Sequence, residues 1–167
     1  MTIRDFESHA PIVDEETFAL ITELEVRKAV RLQYFVSLLG IEADVEDGQD
    51  ESEASRTRER LASAIREEIR SCDTIGLVTT EPKLYILLVN ANLGNVPLII
   101  ERIAQLVSRH RRPGDGLGEL TLSMGAACFP SSARDRSDLF AQVGSLITEA
   151  RRDNAERHRY RLPPAES

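Results

Sequence analysis

The sequence contains no tryptophan, two cysteines, and only five phenylalanines and three tyrosines in 167 residues. Each shortage excludes something. Cys72 and Cys128 fit no metal-ligand or redox spacing, so each is expected as a small, buried, reduced side chain. His9, His110 and His158 lie far apart and suggest no metal site. Nowhere do roughly 18 apolar residues run together, and the Arg4, Asp5 and Glu7 start lacks the apolar segment of a signal peptide. The expectation is a cytoplasmic chain with no membrane partner. Positive charge is also in deficit, with 21 Lys and Arg against 28 Asp and Glu and a net charge of −7. That balance argues against a nucleic-acid partner, because phosphate binding draws on clustered cations. The basic residues that do gather, Arg151, Arg152, Arg157, Arg159 and Arg161, read as a solvated helix end, where cations suit the dipole.

What is present is ordinary for a globular domain: 41% hydrophobic and 29% charged residues, in a chain long enough to bury a core without staples. Residues 1–14 hold Pro11 and little periodicity and are expected to form a flexible arm. From Glu15 to about Gln33, Phe18, Ile21, Leu24, Ala29 and Val30 recur at helical spacing. The largely apolar run 34–41 suits a central strand. Seven of the twelve residues from Glu42 to Glu53 are acidic, which fits a solvated loop. The offset of Gly48 from Asp44 does not match an EF-hand.

Leu61, Ile65 and Ile69 mark a second helix over about 53–71. Residues 74–79 and 84–90 are short β-type runs separated by Glu81-Pro82-Lys83, and so read as a hairpin. Asn95 is placed to cap a third helix that turns Val96, Ile99, Ile100, Ile103, Leu106 and Val107 inward. Gly and Pro make 111–118 a loop. A strand over 120–128 precedes a last helix striped by Leu139, Val143, Leu146, Ile147 and Ala150. The order is helix, β-α-β-β-α-β, helix. Its inner six elements define an α/β (α+β) chain with a ferredoxin-like core, a mostly antiparallel sheet flanked by helices. That arrangement hosts many functions and selects none.

Several local sequences, in this order, resemble the GGDEF domains of bacterial diguanylate cyclases over roughly residues 15–160. Leu120-Thr-Leu-Ser-Met-Gly-Ala-Ala resembles the family's "vtvSiGva" strand. Val36-Ser-Leu-Leu-Gly-Ile-Glu42-Ala-Asp44 is similar to its first strand, which ends in Asp-x-Asp. Asp73-Thr-Ile-Gly leads into the hairpin, and Leu84-Tyr-Ile-Leu-Leu-Val resembles the strand behind the signature turn. Ile100-Glu-Arg-Ile103 matches the "aERI" helix, and Ala150-Arg151 the late Ala-Lys. Residues 161–167 are left as a C-terminal tail.

The resemblance implies a two-carboxylate metal site that aligns two GTP molecules. Here Glu42 stands at the first-strand metal position and Glu81 near the acidic position of the signature turn. Both are expected only as vestigial, solvated candidates, and no metal or other cofactor is expected. The signature turn itself is replaced by Thr79-Thr80-Glu81-Pro82-Lys83. Its paired glycines, which allow close backbone approach, become β-branched threonines, and Pro82 removes a donor. The base-holding stretch is replaced by Val45-Glu-Asp-Gly-Gln-Asp-Glu51. Arg151 stands at the phosphate-binding Lys, and Ala155 replaces a following Arg. On these grounds the chain is expected not to be an enzyme and to have no catalytic residues.

One element of the family pattern remains. Arg70-Ser-Cys-Asp73 matches the Arg-x-x-Asp motif that, five residues before the signature turn, binds the product cyclic di-GMP. A guanidinium grips phosphate or guanine edges and a carboxylate accepts from guanine N–H groups. Arg112-Pro-Gly-Asp115 repeats the spacing in a loop. The leading expectation is therefore an inactive, GGDEF-like regulatory or protein-interaction module in bacterial signalling, partnered by another protein or by itself. Residues 1–33 are its candidate docking or dimerisation segment. A cyclic di-GMP receptor using Arg70 and Asp73 is the alternative, and an active diguanylate or nucleotide cyclase is third.

Overall fold

The computed structural model describes residues 9–44, 51–79, 83–109, 120–153 and 158–164. Its elements run β1 (Ile12–Asp14), α1 (Glu15–Leu32), β2 (Val36–Asp44), α2 (Glu51–Ile65), β3 (Thr74–Leu77), β4 (Lys83–Val89), α3 (Val96–Arg109), β5 (Thr121–Phe129), α4 (Arg136–Arg151) and β6 (His158–Arg161). The six strands form one sheet in the order β1-β3-β4-β2-β5-β6. The inner four strands pair antiparallel, while β1 and β6 add parallel to the two edges. This is the expected α+β ferredoxin-like arrangement, widened by one short strand on each side.

The added strands change the reading of two segments. Residues 12–14, expected in a flexible arm, pair with Ile75, Gly76 and Leu77 of β3. His158–Arg161 runs across the expected boundary between domain and tail and pairs with Leu122–Gly125 of β5.

Alternation along β2 divides the molecule into two cores. Leu39, Ile41 and Ala43 pack with Leu61 and Ile65 of α2 and Ile100 and Ile103 of α3. Val36 and Leu38 pack on the other face with Phe18 and Val26 of α1 and Leu139, Val143 and Ile147 of α4. Gly40 belongs to this second face and lets α4 approach. A Cβ there would lie 2.5 Å from Val143 Cγ1 and 2.8 Å from Ile147 Cδ1.

The helices largely keep their expected stripes. In α3, Val96, Ile100, Ile103, Leu106 and Val107 are buried. Asn95 turns its Oδ1 to the Asn92 N–H instead of capping α3. In α4, Leu139, Val143, Ile147 and Ala150 are buried, whereas Leu146 is half-buried. In α1 the buried stripe is Phe18, Thr22, Val26 and Ala29. Leu24 and Val30, expected inward, are exposed. The helix accepts Thr22 in its core because the hydroxyl donates to the Phe18 carbonyl at 2.8 Å, which removes the penalty of burying it unpaired. Asp14 caps α1 by accepting from the Thr17 N–H at 2.8 Å, and that bond lowers its pKa.

Candidate functional site

Glu42 and Asp44 are two residues apart at the end of β2, so both continue the face that α4 covers. Glu42 lies opposite Lys83 of β4 on one side and Ser123 of β5 on the other. The C-terminal end of α4 brings Arg151 over them. Its Nη1 donates to Glu42 Oε1, and its Nη2 donates to Asp44 Oδ1 at 2.8 Å. Lys83 Nζ stands 4.0 Å from Glu42 Oε2. From β6, Arg159 Nη2 donates to Asp44 Oδ2 at 3.2 Å and to Ser123 Oγ at 3.0 Å. Its Nη1 reaches the carbonyls of Arg151 and Asp153.

Two carboxylates are thus shared among three cations. Glu42 is buried, not solvated as expected, and this cationic surround explains how a carboxylate is tolerated there. Arg159 is likewise buried, so the C-terminal basic residues are not simply a solvated helix end. Guanidinium groups pair with both carboxylates in this arrangement. Among the described residues no three His, Cys, Asp or Glu side chains gather to hold a metal. Thr80, Glu81 and Pro82 of the expected turn, with the 45–50 stretch and Ala155, lie outside the described residues. Thr79 is exposed, and Lys83 opens β4.

The other expected pair does come together. Arg70 Nη2 donates to Asp73 Oδ1 at 3.1 Å and Nε to Oδ2 at 3.3 Å. Asp73 is 1% exposed and also accepts from the backbone N–H groups of Arg70 at 3.1 Å and Val89 at 3.0 Å. The Arg70 side chain is 54% exposed, with a further bond from Nη2 to the Val89 carbonyl. Asp73 is therefore the structural anchor and Arg70 the accessible group. Cys72, expected buried, is exposed, while Cys128 is buried and both are free thiols. Partial burial pushes the Cys72 thiol up, and the neighbouring Asp73 charge adds to the effect.

Sequence reasoning found Arg70, Asp73, Glu42 and Arg151 but missed Arg159. The only available signal was the basic cluster itself, which has no periodicity to show that one member turns inward.

The fold built from these elements, a helix-covered ferredoxin-like sheet, is that of the GGDEF domains. The chain matches the active GGEEF domain of a diguanylate cyclase from Vibrio cholerae at a TM-score of 0.76 and 18% identity, covering 92% of this chain and 99% of that one. It matches the GGDEF domain of DgcB from Caulobacter crescentus, solved in complex with c-di-GMP, at 0.72 and 16% identity, covering 89% and 88%. It also matches the diguanylate cyclase SiaD of Pseudomonas aeruginosa, in complex with its activator SiaC, at 0.74 and 18% identity, covering 89% of this chain and 57% of that one. No family model and no curated protein matches the sequence. These likenesses correct one expectation. The reading of the chain as not an enzyme is not supported, because the structures that share its fold include diguanylate cyclases.

Proposed function

We propose that this GGDEF-fold chain acts in bacterial cyclic di-GMP signalling as a regulatory module that docks on a protein partner or on a second copy of itself. One observation carries the reading. Of the seven exposed large hydrophobic residues among the described residues, five lie between positions 20 and 35: Leu20, Leu24, Val30, Leu32 and Phe35. Single exposed apolar residues need no explanation, but several along one helix and its exit offer apolar surface that a partner could cover. The activator-bound state of SiaD is an instance of a GGDEF-fold chain controlled by a protein. Light scattering across a concentration series, with wild type and Leu20→Glu/Leu24→Glu, tests self-association. A concentration-dependent dimer lost in the double variant supports the second-copy form. A wild type that stays monomeric and gives no saturable pull-down dependent on Leu20 and Leu24 removes the reading. A parallel incubation with GTP and Mg²⁺ measures turnover directly, and cyclic di-GMP above a buffer control would place the function in catalysis.

A second reading rests on the Arg70–Asp73 pair. A half-exposed guanidinium held in place by a buried carboxylate is pre-organised to receive a phosphate or a guanine edge. That supports cyclic di-GMP as a ligand, and calorimetry with the purified protein tests it.

A further inference from the structure

Although the sequence has only eight aromatic residues, five Phe and three Tyr, three of them line one cavity of about 400 Å³. Phe18 of α1, Tyr85 of β4 and Phe140 of α4 share its walls with Ala19, Glu15, Arg136 and Ser137. The Tyr85 and Phe140 rings meet edge to face at 5.2 Å and 78°. Phe18 stacks on Tyr85 at 5.9 Å and 18°. Phe18 is buried, whereas Tyr85 and Phe140 are only partly covered. A volume of this size falls within the usual range for small-ligand sites.

The charged rim is only loosely committed. Arg136 Nε stands 3.7 Å from Glu23, and Glu23 is already held by Arg27 Nε at 3.2 Å. The Arg136 side chain is 40% exposed. Glu15 has no ion-pair partner among the described residues. The cavity therefore joins an aromatic wall, an available guanidinium and an available carboxylate.

We propose that this cavity is a binding site for a small aromatic α-amino acid. The ring packs against Tyr85 and Phe140 in the offset or edge-on contacts aromatic pairs favour. The ligand carboxylate pairs with Arg136, whose planar fork suits two parallel hydrogen bonds. The ligand ammonium pairs with Glu15. Binding would tie α1 to the sheet and to α4, so the site would report a metabolite to the helix that carries the exposed apolar residues. The inference goes beyond the docking reading and does not depend on it.

The full chain is titrated with L-tryptophan, followed by calorimetry and by the indole emission, which has no protein background because the chain lacks tryptophan. Tryptamine, which lacks the carboxylate, and 3-indolepropionate, which lacks the ammonium, are titrated alongside. The proposal expects saturable binding of L-tryptophan and weaker binding of both analogues. Arg136→Ala should weaken L-tryptophan by about tenfold or more, the loss of one charge-assisted pair. Phe140→Leu, which keeps an apolar side chain, should weaken all three ligands, and Arg152→Ala at the far end of α4 should change nothing. No binding at millimolar L-tryptophan overturns the proposal. So does equal affinity for the three ligands, or an unchanged affinity in a folded Arg136→Ala protein.

Discussion

Arg159 and Asp44, 115 residues apart in sequence, meet at 3.2 Å at the end of the sheet. The contact joins the last strand to the central one. Arg159 is buried and divides its donors among Asp44, Ser123 and the carbonyls of Arg151 and Asp153. Those carbonyls belong to the end of α4 and the residues just beyond it, so one guanidinium fixes β2, β5, α4 and β6 together.

Arg159→Ala should therefore cost about 2–3 kcal/mol, since several charge-assisted bonds are lost while Asp44 keeps Arg151 and partial solvation. Asp44→Ala should cost less, because Arg159 retains its three other acceptors. Urea denaturation of both variants checks the order. Equal and negligible effects would mean that β6 is held by its backbone pairing alone.

Packing on the other side of α4 gives a second expectation. Ile147 is 1% exposed and touches both β2 and the glycine-lined approach of the helix, whereas Leu146 is half-buried. Ile147→Ala should cost about 2–5 kcal/mol and Leu146→Ala distinctly less. A Cβ on Gly125 would fall 2.9 Å from the Ile147 N and the Val143 carbonyl, backbone atoms that cannot swing aside. Gly125→Ala should therefore be destabilising by about 1–3 kcal/mol. A thermal melt in which Leu146→Ala is the worst of the three would invert this account of the core.

The order β-α-β-β-α-β was legible because most inner elements are long enough to show their period, and the short β3 is marked by the turn residues Glu81-Pro82-Lys83 that follow it and by its hairpin partner. The short edge strands have neither signal, and so β1 reads as part of an arm and β6 as a basic helix end running into the tail. The phase of α1 was misread for a related reason. Leu24 and Val30 look like core residues, but Thr22 takes the inward position by satisfying its hydroxyl within its own helix turn. Arg70 and Asp73 were legible as a pair since they stand three positions apart. The Arg151 contacts with Glu42 and Asp44 span more than a hundred residues, a distance at which spacing carries no information. Only the assembled sheet and helix bring them together.

Tyr34 offers a pH-dependent test. Its hydroxyl donates to Glu25 Oε2 at 2.7 Å. Burial, with the bond to Glu25 adding, pushes its pKa from 10.0 up to about 12. The folded state therefore holds the phenol proton more tightly than the unfolded state does. The resulting stability is complete below the unfolded pKa and is lost as pH rises through about 12. Tyr34→Phe should cost about 1 kcal/mol at neutral pH. The gap between wild type and variant in denaturant midpoint should narrow as pH rises above 10. A gap that is constant from neutral to strongly alkaline pH would show that the hydroxyl contributes nothing through its proton.

The cyclic di-GMP reading turns on which member of the Arg70–Asp73 pair is mutated. Asp73 is buried and receives the N–H groups of Arg70 and Val89, so Asp73→Ala would disturb the start of β3 and the end of β4 whatever the ligand does. Arg70 is the usable probe, because its side chain is half-exposed and its loss leaves those backbone bonds to Asp73 in place. Arg70→Ala should weaken cyclic di-GMP binding about tenfold or more, roughly 1.4 kcal/mol, well above the worth of a surface ion pair. Arg112→Ala, in the repeat of the motif that lies outside the described residues, should leave binding unchanged. Equal losses from the two arginines would indicate general attraction of an anion to positive charge. No binding by wild type at high micromolar ligand would remove the receptor reading and leave the docking surface around Leu20 and Leu24 as the proposed functional feature.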